Sequence, residues 1–179
     1  MTETWTAPAV DRTESPNVAA ERPAAESLLD YFRATLLWKC AGLSAEQLKQ
    51  RSVPPSSMSL LGLVRHMAEV ERVWFRTRIA GEDIGPIFCS DTNPDGDFDD
   101  VDAADAEADF ATYQREVDAA RAVLASRDLD DTFELTRRDG PGLVSIDVRA
   151  LVLHMIEEYA RHCGHADLIR ERVDGATGD

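Results

Sequence analysis

The stretch LHMIEEYARHCGHADLIRE, residues 153–171, places three histidines and two adjacent glutamates on a segment whose apolar spacing predicts a helix. Four helical residues advance by about 400°, so Glu158 and His162 stand about 40° apart and one turn along. A carboxylate and an imidazole at that spacing face the same point, as they do on metal-binding helices. His154 lies one turn before Glu158 on the same face, and His165 falls between them in angle but further along. Cys163 points about 100° away from His162, which makes it a poor co-ligand despite its adjacency, and Glu157 is turned outward.

One helix supplies two ligands comfortably, whereas a catalytic zinc usually takes three. The remaining histidine of the chain is His66, in GLVRHMAEVERVWF. Leu63, Val70 and Val73 share its side, which turns His66 toward a helix-packed interior. Spacing alone leaves two readings open. The set can hold a metal, or it can be a hydrogen-bonded core histidine beside an ordinary Glu-x-x-x-His neighbour pair. A buried carboxylate without a counter-charge costs several kcal/mol or takes up a proton, which favours giving Glu158 a cation.

The elements that must position these groups are mostly helices. AAESLLDYFRATLLWKCAGL carries Leu28, Leu29, Phe32, Leu36 and Leu37 on one stripe and stops at Gly42. SAEQLKQRS reads as a short helix capped by Ser44, with Pro54-Pro55 as a breaker after it. Ser59 caps LLGLVRHMAEVERVWFRTRIAG, a long amphipathic helix that Gly81 ends. Residues 81–102 form a long acidic connection to a third long helix, 103–126, and the last helix spans about 145–173. Between them, 128–145 holds the turn signals Asp139-Gly140 and Pro141-Gly142 and has room for a short extended pair. The expected fold is therefore all-α, a four-helix bundle with a long crossover between the second and third helices. Residues 1–22, rich in Ala, Pro, Thr and Glu, read as a flexible N-terminal tail, and 176–179 as a C-terminal one.

Composition narrows the function classes. A chain of 179 residues with 44% hydrophobic content suits one globular domain. The net charge of −15 repels nucleic acid phosphates and anionic membranes, and no apolar run is long enough to span a bilayer. Three cysteines (Cys40, Cys89 and Cys163) without CxxC spacing fit reduced thiols, and the N-terminus lacks a secretory pattern, so a cytoplasmic location is expected.

LLGLVRHMAEVERVWFRTRIAGE and LVLHMIEEYARHCGHADLIRERVDG, together with LLWKCAGLSAEQLKQRSVPPSSMSLLGL, resemble the DinB-like superfamily. The likeness is to its branch of small actinobacterial proteins related to mycothiol-dependent S-transferases and maleylpyruvate isomerase, and it extends over about 24–175. It implies a metal-binding bundle over 23–175, with one ligand from the second helix and two from the last, one turn apart. Those positions are His66, Glu158 and His162 here. Many DinB-like proteins carry His where this chain has Glu158; the mycothiol-dependent branch is similar in using Glu. The resemblance further implies a divalent metal, zinc first and nickel or iron as alternatives, and mycothiol as a co-substrate transferred to a small electrophile or assisting its isomerisation. His154 and His165 are then expected to line the site and hydrogen-bond to ligands. Alternative readings are a non-catalytic, stress-related metal-binding protein and a hydrolase acting through metal hydroxide.

Two further features carry weaker expectations. DTNPDGDFDDVD, residues 91–102, matches a calcium-loop template at Asp91, Asn93, Asp95, Gly96, Asp99 and Asp102. No helix directly precedes it, Pro94 interrupts it, and Asp102 is shorter than the usual bidentate Glu, so a solvated acidic loop is the stronger reading. Trp74, Phe75 and Ile79 form an apolar stripe that suits either a homodimer face or ordinary core packing.

Overall fold

The computed structural model describes residues 5–136 and 140–178. Residues 1–4 and Asp179 of the two expected tails, and Asp139 of the expected turn, lie outside the described residues. Among the described residues the chain is mostly helical, with one two-stranded antiparallel sheet. Helix α1 spans Glu21–Trp38, α2 Ala45–Leu48, α3 Leu60–Glu71, α4 Gly96–Asp99, α5 Ala106–Ala125 and α6 Val148–Asp174. Strands β1, Thr132–Thr136, and β2, Leu143–Asp147, pair with Thr132 opposite Asp147 and Thr136 opposite Leu143. This hairpin is the extended pair for which 128–145 has room.

Local chemistry sets the ends of these elements. Ser44 and Gln47 close a reciprocal capping box on α2, and Ser59 accepts from the Gly62 amide at 3.1 Å to open α3. Asp105 and Asp147 cap α5 and α6 through the amides of Ala108 and Ala150. Gly175, at φ +80°, ends α6 in the left-handed conformation that side chains disfavour. The second long helix departs from a plain α-helix: from Arg72 to Ile79 it widens into π-helical turns before Gly81 releases it. Such widening recurs near functional sites and is invisible to a 3.6-residue period.

Helix α1 packs chiefly on α6, and α3 on α5, with α3 also against α6. Leu29, Leu36, Val64, Met67, Leu151 and Met155 lie in the shared core with almost no exposure. One polar node crosses this core and takes a side chain from each long helix. Arg33 of α1 grips both oxygens of Glu71 of α3 at 2.8 Å. Tyr159 of α6 donates to Glu71 at 2.7 Å and lies 3.0 Å from the hydroxyl of Tyr113 on α5. Burial works against the Arg33 charge, but Glu71 holds its pKa well above the ordinary value. Burial and the Glu71 charge together push Tyr159 upward.

In the segment expected to be a flexible tail, Trp5, Ala7 and Arg12 contact the helical body, while most of 13–20 is exposed. Trp5 meets Phe110 edge-on at 5.5 Å, and Ala7 exchanges backbone hydrogen bonds with Gly42 and Leu43 at 2.9 Å. The Arg12 guanidinium lies 4.1 Å over Trp38. Isolated anchors of this kind leave no periodicity, which is why composition suggested a tail. Phe75 and Ile79 of the apolar stripe are buried in the core, and Trp74 is partly exposed. Among the described residues no helix is long and apolar enough to cross a membrane.

Candidate metal centre

His66 comes from the middle of α3, and Glu158 and His162 from successive turns of α6. One ligand atom from each lies within 4.8 Å of the others. Glu158 Oε2 is 3.5 Å from His162 Nε2, close to the edge of about 3.4 Å for a tetrahedron with bonds of about 2.1 Å. The His66 and His162 rings are 4.8 Å apart between centroids. Two imidazoles and a carboxylate converging from two helices are a donor set that fits a divalent ion such as zinc. The three residues predicted from the sequence are thus brought together.

The cluster sits at the edge of the core. Side-chain exposure is 28% at His66, 18% at Glu158 and 11% at His162, so one side of the cluster is reachable from solvent. Burial, followed by the neighbouring His66, His165 and Arg161, pushes the His162 pKa down to about 4. Its ring is therefore neutral at pH 7, the form in which imidazole donates a lone pair to a metal.

The remaining histidines separate into two situations. His165 Nδ1 lies 3.3 Å from His162 Nδ1, within hydrogen-bond reach of a ligand. His154 does not reach that close: its Nε2 is 3.8 Å from Glu158 Oε1, and its ring packs edge-on against Trp74 at 4.7 Å. Cys163 turns away as helical geometry requires and donates its thiol to the Phe32 carbonyl. Glu157 is exposed and paired with Arg161.

The acidic crossover contributes in an unexpected way. Its calcium-template residues do not converge. Asp95 precedes α4, Asp102 pairs with Arg51 at 2.8 Å, and Asn93 donates to Asp100 at 3.0 Å. Gly96 is explained by packing, since a Cβ there would meet the Phe88 carbonyl at 2.4 Å. Among the described residues the single group of three or more such side chains placed to hold a metal is His66, Glu158 and His162. The acidic crossover residue that reaches this centre is Asp97, absent from the template, with Oδ2 2.8 Å from His66 Nδ1. Six aspartates between 91 and 102 gave no spacing by which to choose it.

Trp74, Ile146, Asp147, Ala150, Leu151 and His154 line a hollow of about 410 Å³ together with Ser145. A hollow of about 430 Å³ between α1 and α5 contains none of the three ligands, and its arginines are engaged with carboxylates. The first hollow contains none of the three either; what links it to them is His154, whose Nε2 lies 3.8 Å from Glu158 Oε1.

No curated protein matches the chain. The family model described as Mycothiol-S-transferase matches residues 24–175, the span of the resemblance noted above, and by that match the chain belongs to the mycothiol S-transferase family.

Proposed function

We propose that the protein is a metal-dependent enzyme that transfers a low-molecular-weight thiol, mycothiol in the first instance, to a small electrophile. The observation that carries this reading is the convergence of His66, Glu158 and His162 within 4.8 Å in a chain of this family. The four long helices are read as a DinB-like four-helix bundle that holds the three ligands on facing helices at the edge of its core. Bound there, a divalent metal, zinc by preference, lowers the pKa of a thiol and so supplies a thiolate near neutral pH.

The chain's own residues account for the rest. Burial pushes Cys40 and Cys163 up to about 12 and Cys89 up to about 11, which keeps these thiols protonated at neutral pH and supports a reacting sulfur supplied from outside. His162 and Glu158 hold their ligand atoms on one turn-spaced face of α6, and His165 supports His162 from behind. Trp74, Ile146 and Leu151 offer an apolar wall for the body of the electrophile, in a hollow that reaches Glu158 through His154. In the transfer a carbon–sulfur bond forms while the carbon's bond to its leaving group breaks. The leaving group takes that electron pair, and the thiol proton passes to solvent.

Elemental analysis of the purified protein tests the centre, alongside His66→Ala and Glu158→Ala. About one zinc per chain in the parent, lost in both variants, is the expected result, followed by thiol-dependent consumption of an electrophile. Stoichiometric metal without thiol-dependent turnover would select a non-catalytic metal-binding protein instead. Turnover that needs no thiol would select a hydrolase.

A further inference from the structure

The Asp97 carboxylate is 5% exposed and lies 2.8 Å from His66 Nδ1. A carboxylate brings no proton to such a contact, so the imidazole donates from Nδ1 and keeps its lone pair on Nε2. Phe98, the next residue, lies against the same ring with centroids 5.2 Å apart and planes 31° from parallel. Phe98 occupies the space over Gly62, where a Cβ would meet it at 2.7 Å. The His66 ring is thus held both by its hydrogen bond and by its face.

What delivers Asp97 to this position is α3 itself. Arg65 donates to the carbonyls of Asp97 at 2.9 Å and Gly96 at 3.0 Å, and to the Asp109 carboxylate at 2.9 Å. One turn on, a single oxygen of Glu69 accepts the amides of Ile87, Phe88 and Cys89 at 2.7, 2.5 and 3.0 Å. Arg65 and Glu69 therefore grip the crossover on either side of His66.

We propose that Asp97 is a positioning residue for the metal centre: it fixes His66 as an Nε2 ligand, and the Arg65–Glu69 clamp on the crossover holds it in place. This rests on reading His66, Glu158 and His162 as that centre. Carboxylate partners of metal-bound imidazoles typically change metal affinity 10–100-fold when removed. Glu69 hydrogen-bonds to the crossover amides and not to His66 or Asp97, so weaker zinc binding on its neutralisation would reach the centre through the crossover.

The test has two readouts that need no turnover. Nitrogen NMR of the histidine-labelled, metal-free parent is expected to show His66 protonated at Nδ1, and Asp97→Ala to shift it toward the Nε2-protonated tautomer. Competition with a chelator is expected to show zinc bound roughly 10–100-fold more weakly in Asp97→Ala, with smaller losses in Asp97→Asn and Glu69→Gln. If Asp97→Ala does not fold, Asp97→Asn, which keeps a neutral acceptor, carries the zinc measurement, and the tautomer of the parent carries the other. A parent protonated at Nε2, or zinc affinity in the Asp97 variant within about twofold of the parent, overturns the proposal. A parent that shows the Nδ1 tautomer but binds no zinc overturns the metal-centre reading and leaves the hold of Asp97 on His66 standing.

Discussion

Tyr159 donates its phenolic proton to Glu71 Oε1 at 2.7 Å, one residue along α6 from Glu158 and five along α3 from His66. This bond ties together the two helices that carry the proposed ligands. Because Tyr159 spends its proton on Glu71, Tyr113 must donate to Tyr159, so the third long helix joins the same node. Arg33 supplies the counter-charge that lets Glu71 stay fully buried.

Tyr159→Phe removes a hydrogen bond to a charged acceptor and leaves the Tyr113 hydroxyl without its partner. The expected loss of folding stability is about 1.5–3 kcal/mol, read from urea unfolding of the metal-free protein. A loss under about 0.5 kcal/mol would mean that apolar packing alone sets the helix register.

Much of this arrangement was legible in the chain before folding, and the reason is locality. Glu158 and His162 are one turn apart, so helical geometry alone pairs them, and the caps at Ser44 and Ser59 act within three residues. His66 was identifiable because it was the one histidine outside the last helix. The node of Arg33, Glu71, Tyr113 and Tyr159 had no such signal: its members are 38, 46 and 88 positions apart, and each looks like an ordinary helix-surface residue in its own segment. Asp97 was hidden for the opposite reason, among too many equivalent neighbours. The π-helical widening at Arg72–Ile79 and the anchors of the N-terminal segment obey no period that a sequence reading can follow.

Metal removal gives a second expectation. A ligand that binds only the folded chain stabilises it by about 2.7 kcal/mol when present at 100 times its dissociation constant. For a chain of this length that corresponds to roughly 5–11 °C in melting temperature. Calorimetry with zinc and then with excess chelator should show this interval in the parent. Glu158→Gln should melt at the same temperature under both conditions, and an unchanged interval in that variant would remove Glu158 from the ligand set.

The pH dependence of the metal-free protein follows from His162. Burial lowers its folded pKa from 6.5 to about 4, so between these values the unfolded chain binds a proton that the folded chain refuses. Stability from this group is complete above pH 6.5 and is lost as pH falls toward 4. The loss is on the order of 3 kcal/mol. Chemical unfolding of the parent and of His162→Gln across this window isolates the effect: the parent should lose that much more stability than the variant. Parallel curves would contradict the depressed pKa.

The hollow that His154 lines yields the last expectation. Ala150 is exposed on the first turn of α6 and lines the hollow with Trp74, Ile146 and Leu151. An indole there would fill that space without touching His66, Glu158 or His162. If the body of the electrophile lies in this hollow, Ala150→Trp forfeits the burial of an apolar group, about 1.5–3 kcal/mol. Steady-state kinetics with an aromatic electrophile should then show KM for the electrophile raised roughly 10- to 100-fold. Zinc content and KM for the thiol should stay at parental values, because the centre itself is untouched. An unchanged KM for the electrophile would place its binding on another side of the cluster, toward His165, and would leave Trp74 a packing residue for His154.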